Sequence, residues 1–579
     1  MDRTASLLQT EDDKKDEEVF QTLPLKNQLE TVLNSNPQKR LRYIFLSDNP
    51  KDLVQRLPEL ELFLTVKELE EKDVIELVSL TTPEQFQYLL DLDFWKKDQL
   101  DPAKILHWMG ILLECGEEKI GEFVHSAHLE FVTLLLKKFL HVTKPEGEPT
   151  EVLDRMPLFT LDQQYYVAFK RPEGRVVFQR FLEYLYHFDS ENYRRILESL
   201  IFELESELEE TGYSLRKGRL ADQGFPDFEE ALEIYRFVNP DSVRGEGTKP
   251  SQTIPKDVAK LSPTFYLALQ KEGTFFSSVL SQVADPSDQA RLRQELATLY
   301  NKAIIAEPIE SFNPEEMRQV GARVFHYLNL GLEYISNQDE TQASEFLRSL
   351  PLQKIFQCGV GATLLLKKKA EAILRGPWFG GDRENVAFLD RSYVDLFEGV
   401  LKKRPTLYRH GLQGDFKDLL DFREVEKFLD LIETVVTTLE IRMNVRPQKI
   451  RDLDLSLCTP KGWREITLST IFLTSLANQI LHGAFRFEAI DGTQLRHLLS
   501  LIFERDEQGK GAVRMEVKRG MREWFDSFEN DEEKRQHFLA FSDFCCDLFE
   551  EEYGKIPEEG EIDPRFVKGL LVCHEGSSV

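Results

Sequence analysis

The feature that most restricts what this chain can fold into is a recurring dipeptide, a hydrogen-bond-accepting side chain followed at once by proline. Six such pairs, Asn49-Pro50, Thr82-Pro83, Asp101-Pro102, Ser262-Pro263, Asp285-Pro286 and Asn313-Pro314, read as helix starts. The side-chain oxygen satisfies amides that a first helical turn leaves unpaired, and proline at the first helical position gives up no hydrogen bond. Thr82 is followed three residues on by Gln85, the arrangement of a capping box, with Phe86, Leu89 and Leu90 at helical spacing. A short helix is therefore predicted from residue 83 to about residue 92, and Asn313 has Glu316 in the matching place. Short helices with narrow apolar faces are stable only when stacked on neighbours. The fold class expected is all-α, a multi-layer superhelical array of helical repeats.

The stretch TTPEQFQYLLDLDFWKKDQLDP, residues 81–102, also holds Asp91, Asp93, Asp98 and Asp101, which raises a metal-binding loop as an alternative. A calcium loop of the EF-hand kind needs glycine at its sixth position and glutamate at its twelfth. Counted from Asp91, those places hold Lys96 and Pro102, and Trp95 occupies a ligand position. The residues support an inter-helix turn that buries Phe94 or Trp95.

With 579 residues, 41% of them hydrophobic and 30% charged, the chain has material for several globular domains. Its net charge of -28 repels a nucleic-acid backbone, and the basic pieces PQKRLR, SLRKGR, LKKK and LKKRP are short enough to read as solvated helix faces or ends. No nucleic-acid partner is expected. The opening MDRTASLLQTEDDKKDEE lacks the apolar centre of a secretory signal, and residues 1–36 read as an acidic, largely disordered leader. Apolar runs such as ITLSTIFLTSLANQIL are too short to span a bilayer, so a soluble, cytoplasmic protein is expected. The six cysteines include no C-x-x-C pair and read as buried thiols in a reducing compartment.

Polar, Pro/Gly-rich connectors at 143–150 and 239–257 divide the chain into a helical-repeat domain at 37–142, a second part at 151–240 and a helical domain at 257–571, followed by a tail at 572–579. The second part is expected to open with a small β-hairpin near residues 157–178. A single amphipathic helix should follow, capped by Asp189 or Ser190, striped by Tyr193, Ile196, Leu197, Leu200, Ile201, Leu204 and Leu208, and ended by Gly212.

Three resemblances bear on architecture. The stretch NPKDLVQRLPELELFLTVKELEEKDVIELVSLTTPEQFQYLLDLD resembles the helical repeats of the intracellular N-terminal domain of MgtE-type magnesium transporters and of flagellar motor-switch proteins. That resemblance implies a superhelical array used for protein contacts; the transporter's CBS and membrane portions have no counterpart. RLADQGFPDFEEALEIYRFVNP is similar to one tetratricopeptide helix pair, with Gly224 at the turn and Ala231 and Tyr235 on the second helix, although no second copy follows. The same piece, LQKIFQCGVGATLLLKKKAEAILRGPWFGG and LDLDFW together resemble a bacterial family of large helical proteins described only as a domain of unknown function. Membership implies coverage from about residue 40 onward and no particular chemistry.

Candidate chemistry is sparse. Gly359 and Gly361 precede lysines as in a phosphate loop, but Leu364 stands where a third glycine is needed, so a glycine-relaxed helix start with close packing is expected. Glu122-x-x-His125, with His128 nearby, is half of a di-iron signature whose other half is missing. No G-x-S-x-G elbow occurs. No catalytic residue, metal ligand or cofactor is assigned. The candidate partner surface comprises Arg216, Lys217 and Arg219, a local cationic cluster in an acidic chain whose favoured alternative is pairing with carboxylates of adjacent helices, together with Trp378 and Phe379 of RGPWFGGD, which offer an exposed anchor although capping of the core is the favoured reading. The function expected is a non-catalytic helical scaffold that binds another protein. The alternative is an enzyme or ligand-sensing regulator with a pocket near residues 359–381.

Overall fold

The computed structural model describes residues 19–573 apart from 145–157, 246–272, 308–312, 506–510 and short breaks at 34, 36, 97–98, 223, 410, 555, 557–561 and 564–566. The described chain is mostly helical, with a few strands of two to four residues. Helices start at Pro50, Pro83, Pro102, Pro286 and Pro314, as the cap-proline pairs predict, while Ser262-Pro263 lies outside the described residues. Thr82 Oγ1 accepts the Gln85 amide at 3.1 Å and Gln85 Oε1 accepts the Thr82 amide at 3.0 Å, which completes the capping box. Asp101, Asp285 and Asn313 accept the amides of Ala103, Ser287 and Glu315 at 2.9, 3.0 and 2.9 Å. Asn49 makes no such bond.

Gln85 also explains how neighbouring helices stack. Its buried Nε2 donates to the carbonyls of Val54 and Leu57, each at 2.9 Å, which closes the end of helix Pro50–Arg56. One side chain thus serves the start of its own helix and the closing carbonyls of another.

The chain forms two compact units. The first comprises residues 1–236, 248–325 and 344–354, and the second residues 237–247, 326–343 and 355–579. In the first, helix Pro37–Leu46 departs from expectation: Arg40 is buried, pairs with Glu61 at 3.0 Å and donates to Thr65 Oγ1 at 2.7 Å. The piece PQKRLR is therefore partly internal.

The small hairpin expected near 157–178 takes a different form. Strand Tyr166–Phe169 exists, but it pairs antiparallel with Leu140–Thr143, and Phe159 adds a single bridge to Val167. Residues Arg175–Phe188 are helix, because Phe178, Phe181, Leu182 and Leu185 fall on one buried face and outweigh the β preference of Val176 and Val177.

The single helix expected after Asp189 is two, Ser190–Phe202 and Glu205–Asp222. Asp189 caps the first as predicted, accepting the Asn192 amide at 3.1 Å. The break comes from outside the segment: Lys137 Nζ donates to the carbonyls of Leu200, at 2.9 Å, and Glu203, and so completes a helix end that continuation would otherwise have satisfied. Gly212 ends nothing. It lies within the second helix, where an added Cβ would stand 2.9 Å from Leu134 Cδ2 and 3.6 Å from the Trp95 ring. The tetratricopeptide-like pair is also cut short, since Phe228–Leu232 is followed by a 3-10 turn that holds Tyr235.

In the second unit, helices Leu419–Met443, Leu468–His482 and Glu532–Tyr553 contribute to one apolar core. Gly359 and Gly361 lie inside helix Leu352–Arg375 rather than at its start. Their expected close packing is present: a Cβ on Gly359 would collide with the Tyr327 carbonyl oxygen, and one on Gly361 with that of Val238. Cys458 and Cys573 depart from the expectation of free thiols. Strands Cys458–Thr459 and Val572–Cys573 pair antiparallel and set these two residues directly opposite each other, with Cα atoms 4.1 Å apart, and their sulfurs form a disulfide. Val572 and Cys573, at the point where a tail is expected, form the middle strand of a three-stranded sheet. Among the described residues, no helix is long and apolar enough to cross a membrane.

Candidate partner surface

The cationic cluster and the acidic stretch, read separately from sequence, meet in the first unit. Helix Glu205–Asp222 packs on Pro83–Asp93 and Leu129–Lys137. Arg219 closes a two-pronged grip on Asp91, with Nε 2.6 Å from Oδ2 and Nη2 2.8 Å from Oδ1. Arg216 Nε donates to the Asp91 carbonyl at 2.7 Å, and its guanidinium stands 5.6 Å from the Trp95 ring centre. Burial pushes the Asp91 carboxyl upward, and the Arg219 fork is what makes an ionised group tolerable there. Lys217 lies apart, half-exposed and paired with Asp227 at 2.6 Å. Two of the three expected docking cations are thus held by Asp91.

Asp93 is a second internal anchor. Trp108 Nε1 donates to it at 2.7 Å, and Lys67 and Lys104 stand 2.5 and 3.4 Å away. Burial opposes its ionisation, yet Lys67, Trp108 and Lys104 outweigh burial and hold the carboxyl below the usual range. Phe94 and Trp95 are buried as expected, and Asp98 lies outside the described residues. Among the described residues, no three His, Cys, Asp or Glu side chains are placed to hold a metal ion. Glu122 pairs with Lys119 at 3.0 Å, and the largely exposed His125 stands 3.5 Å from Asp189.

Trp378 and Phe379 are 3% and 0% exposed, which agrees with the favoured reading as core caps and removes them from the candidate partner surface. Phe379 stacks on Phe397 with ring centres 5.8 Å apart. The turn that follows helix Leu352–Arg375, with positive φ at Gly380 and Gly381, folds both side chains into the core. No space opens at Gly359 or Gly361, where neighbouring backbone fills the positions.

The surface that sequence reasoning missed is an open groove of about 490 Å³ beside helix Ser190–Phe202. Leu129, Tyr165, Arg194, Arg195, Glu198 and Phe202 line it. Glu198 accepts the Tyr165 hydroxyl and pairs with Lys144 at 2.8 Å; these contacts hold its carboxyl below the usual range. Arg194 donates to the Ser190 carbonyl and Arg195 to Asn192 Oδ1, both at 3.3 Å. Among the described residues, neither arginine has a carboxylate partner. Phe202 is 75% exposed and Leu204 60% exposed. Leu204, read as part of a buried stripe, is outside because the helix ends before it. The available signal was Phe202 itself, an aromatic residue off that stripe.

The chain finds no match among curated proteins or solved structures. The likeness of residues 49–93 to magnesium-transporter and motor-switch repeats has no counterpart in these comparisons. A family model matches residues 17–573, nearly the whole chain, in keeping with the family resemblance read from GFPDFEEALEIYRF and RGPWFGG. The chain belongs to DUF6178, a family of unknown function.

Proposed function

We propose that this chain is a non-catalytic helical interaction protein that presents the groove beside helix Ser190–Phe202 to another protein. The observation that carries this reading is Phe202, three-quarters exposed on the groove, with Leu204 exposed two residues on. Burying such a side chain is worth about 1.5–3 kcal/mol, a gain the isolated chain leaves unrealised twice within three residues. A lone exposed apolar residue is ordinary, whereas a pair beside an open groove with a polar rim is what an interface presents before its partner arrives.

The test is recovery of the full chain from native extract beside a Phe202→Ser, Leu204→Ser double variant of equal stability. A stoichiometric protein partner held by the wild type and lost by the variant supports the proposal. No stoichiometric partner, together with turnover of a metabolite, overturns it.

A further inference from the structure

We infer that the groove reads a short acidic segment bearing one apolar side chain, with Arg194 and Arg195 taking its carboxylates and Phe202 its apolar anchor. This rests on the interaction reading above and adds the chemistry of the partner. The chain has 101 acidic residues against 73 basic ones, so a cation has abundant carboxylates to pair with. Around the groove they do so: Lys144 meets Glu198, Lys138 meets Glu205 and Glu209, and Lys170 meets Glu205. Arg194 and Arg195 both line the groove and have no carboxylate partner among the described residues, so two neighbouring guanidinium groups are open to a ligand there.

The other groove side chains agree in sign. Glu198, which would repel an acidic ligand, is neutralised by Lys144 and hydrogen-bonded by Tyr165. Glu203 adjoins Phe202 at the opposite end of the lining from the arginines, so negative charge belongs at the Arg194 end and the apolar anchor at the Phe202 end. Guanidinium forks suit carboxylates in a two-pronged geometry. Phosphate would suit them too, and because the net charge of -28 opposes any anion that extends beyond the groove, peptide or polynucleotide, the acidic segment must be short.

Fluorescent peptides of Asp and Glu with a single Phe or Leu, titrated against the full chain, test the inference. Binding is expected to weaken by about tenfold in the Arg194→Glu, Arg195→Glu variant and by a similar factor between low and high salt. That variant should in turn prefer the matching Lys-rich peptide. Unfolding midpoints of variant and wild type should agree. A fall in the midpoint without any peptide binding would show that the arginines serve the chain's own fold and would overturn the inference. Stronger binding of a single-stranded oligonucleotide than of the acidic peptide would overturn it as well. A partner from extract that is lost with Phe202→Ser, Leu204→Ser but indifferent to salt and to the arginine exchange would overturn this inference and leave the interaction reading standing.

Discussion

Arg219 grips Asp91 across 128 residues of sequence, with both carboxylate oxygens within 2.8 Å of its guanidinium. Asp91 is fully buried, so removing either partner strands a charge in the core. Asp91→Ala is expected to cost about 3 kcal/mol, the lower end for a broken buried pair because Arg219 keeps a quarter of its side chain in solvent. Urea midpoints measure this, and hydrogen exchange should rise first in Pro83–Asp93 and Glu205–Asp222. Lys217→Ser, on an exposed pair, should leave the midpoint where it is.

Gly331 and Gly359 allow two helix backbones to touch. A Cβ on Gly359 would collide with the Tyr327 carbonyl, and one on Gly331 would stand 2.8 Å from the Gly359 amide nitrogen. Because the obstacle is backbone, Gly359→Ala should destabilise the second unit by about 3 kcal/mol. Gly218→Ala is the control. It sits within helix Glu205–Asp222 with no described residue within 4 Å of an added Cβ, and should stabilise by about 0.8 kcal/mol. Thermal or urea unfolding of the two variants should therefore move in opposite directions.

Glu333 gives a pH dependence of defined sign. Burial raises its carboxyl above the ordinary 4.5, opposed by the Leu419 amide at 2.6 Å and Asn329 Nδ2 at 3.1 Å. A raised acid means that the folded state binds more protons than the unfolded one, so this group's contribution falls as pH climbs through 4.5 toward the folded value. The stability of wild type minus that of Glu333→Gln should accordingly decline from pH 4.5 toward neutrality. A flat or rising difference would contradict the assignment.

Thiol counting tests the covalent link. Labelling of the denatured, unreduced chain should find four thiols, those of Cys115, Cys358, Cys545 and Cys546, and reduction should add two. The bond closes a loop of 115 residues, so its loss should cost on the order of 4 kcal/mol and speed hydrogen exchange at Val572 and Cys573. Six labelled thiols before reduction would be the contrary result.

What could be read in advance was local. Thr82, Asp101 and Asp285 cap the helices they precede, and Gln85 closes the box from within, because acceptor and amide lie within three residues of each other, and the all-α class follows from such pairs. What escaped was set at long range. The break after Phe202 depends on Lys137, more than sixty residues earlier, and that break is what brings Leu204 to the surface. The clamp on Asp91 and the Cys458–Cys573 pairing join segments with no shared pattern. Gly359 shows the intermediate case: its need for close approach was legible, but its place inside a helix depended on a neighbour that periodicity does not name.

A photo-crosslinking residue placed at Ser199, which lines the groove, tests the interaction account most directly when compared with the same residue at Gly218. Irradiation in native extract should give one discrete, higher-mass protein adduct from position 199 and none from position 218, and Phe202→Ser should abolish it. No adduct at 199, or equal adducts at both positions, would contradict the account.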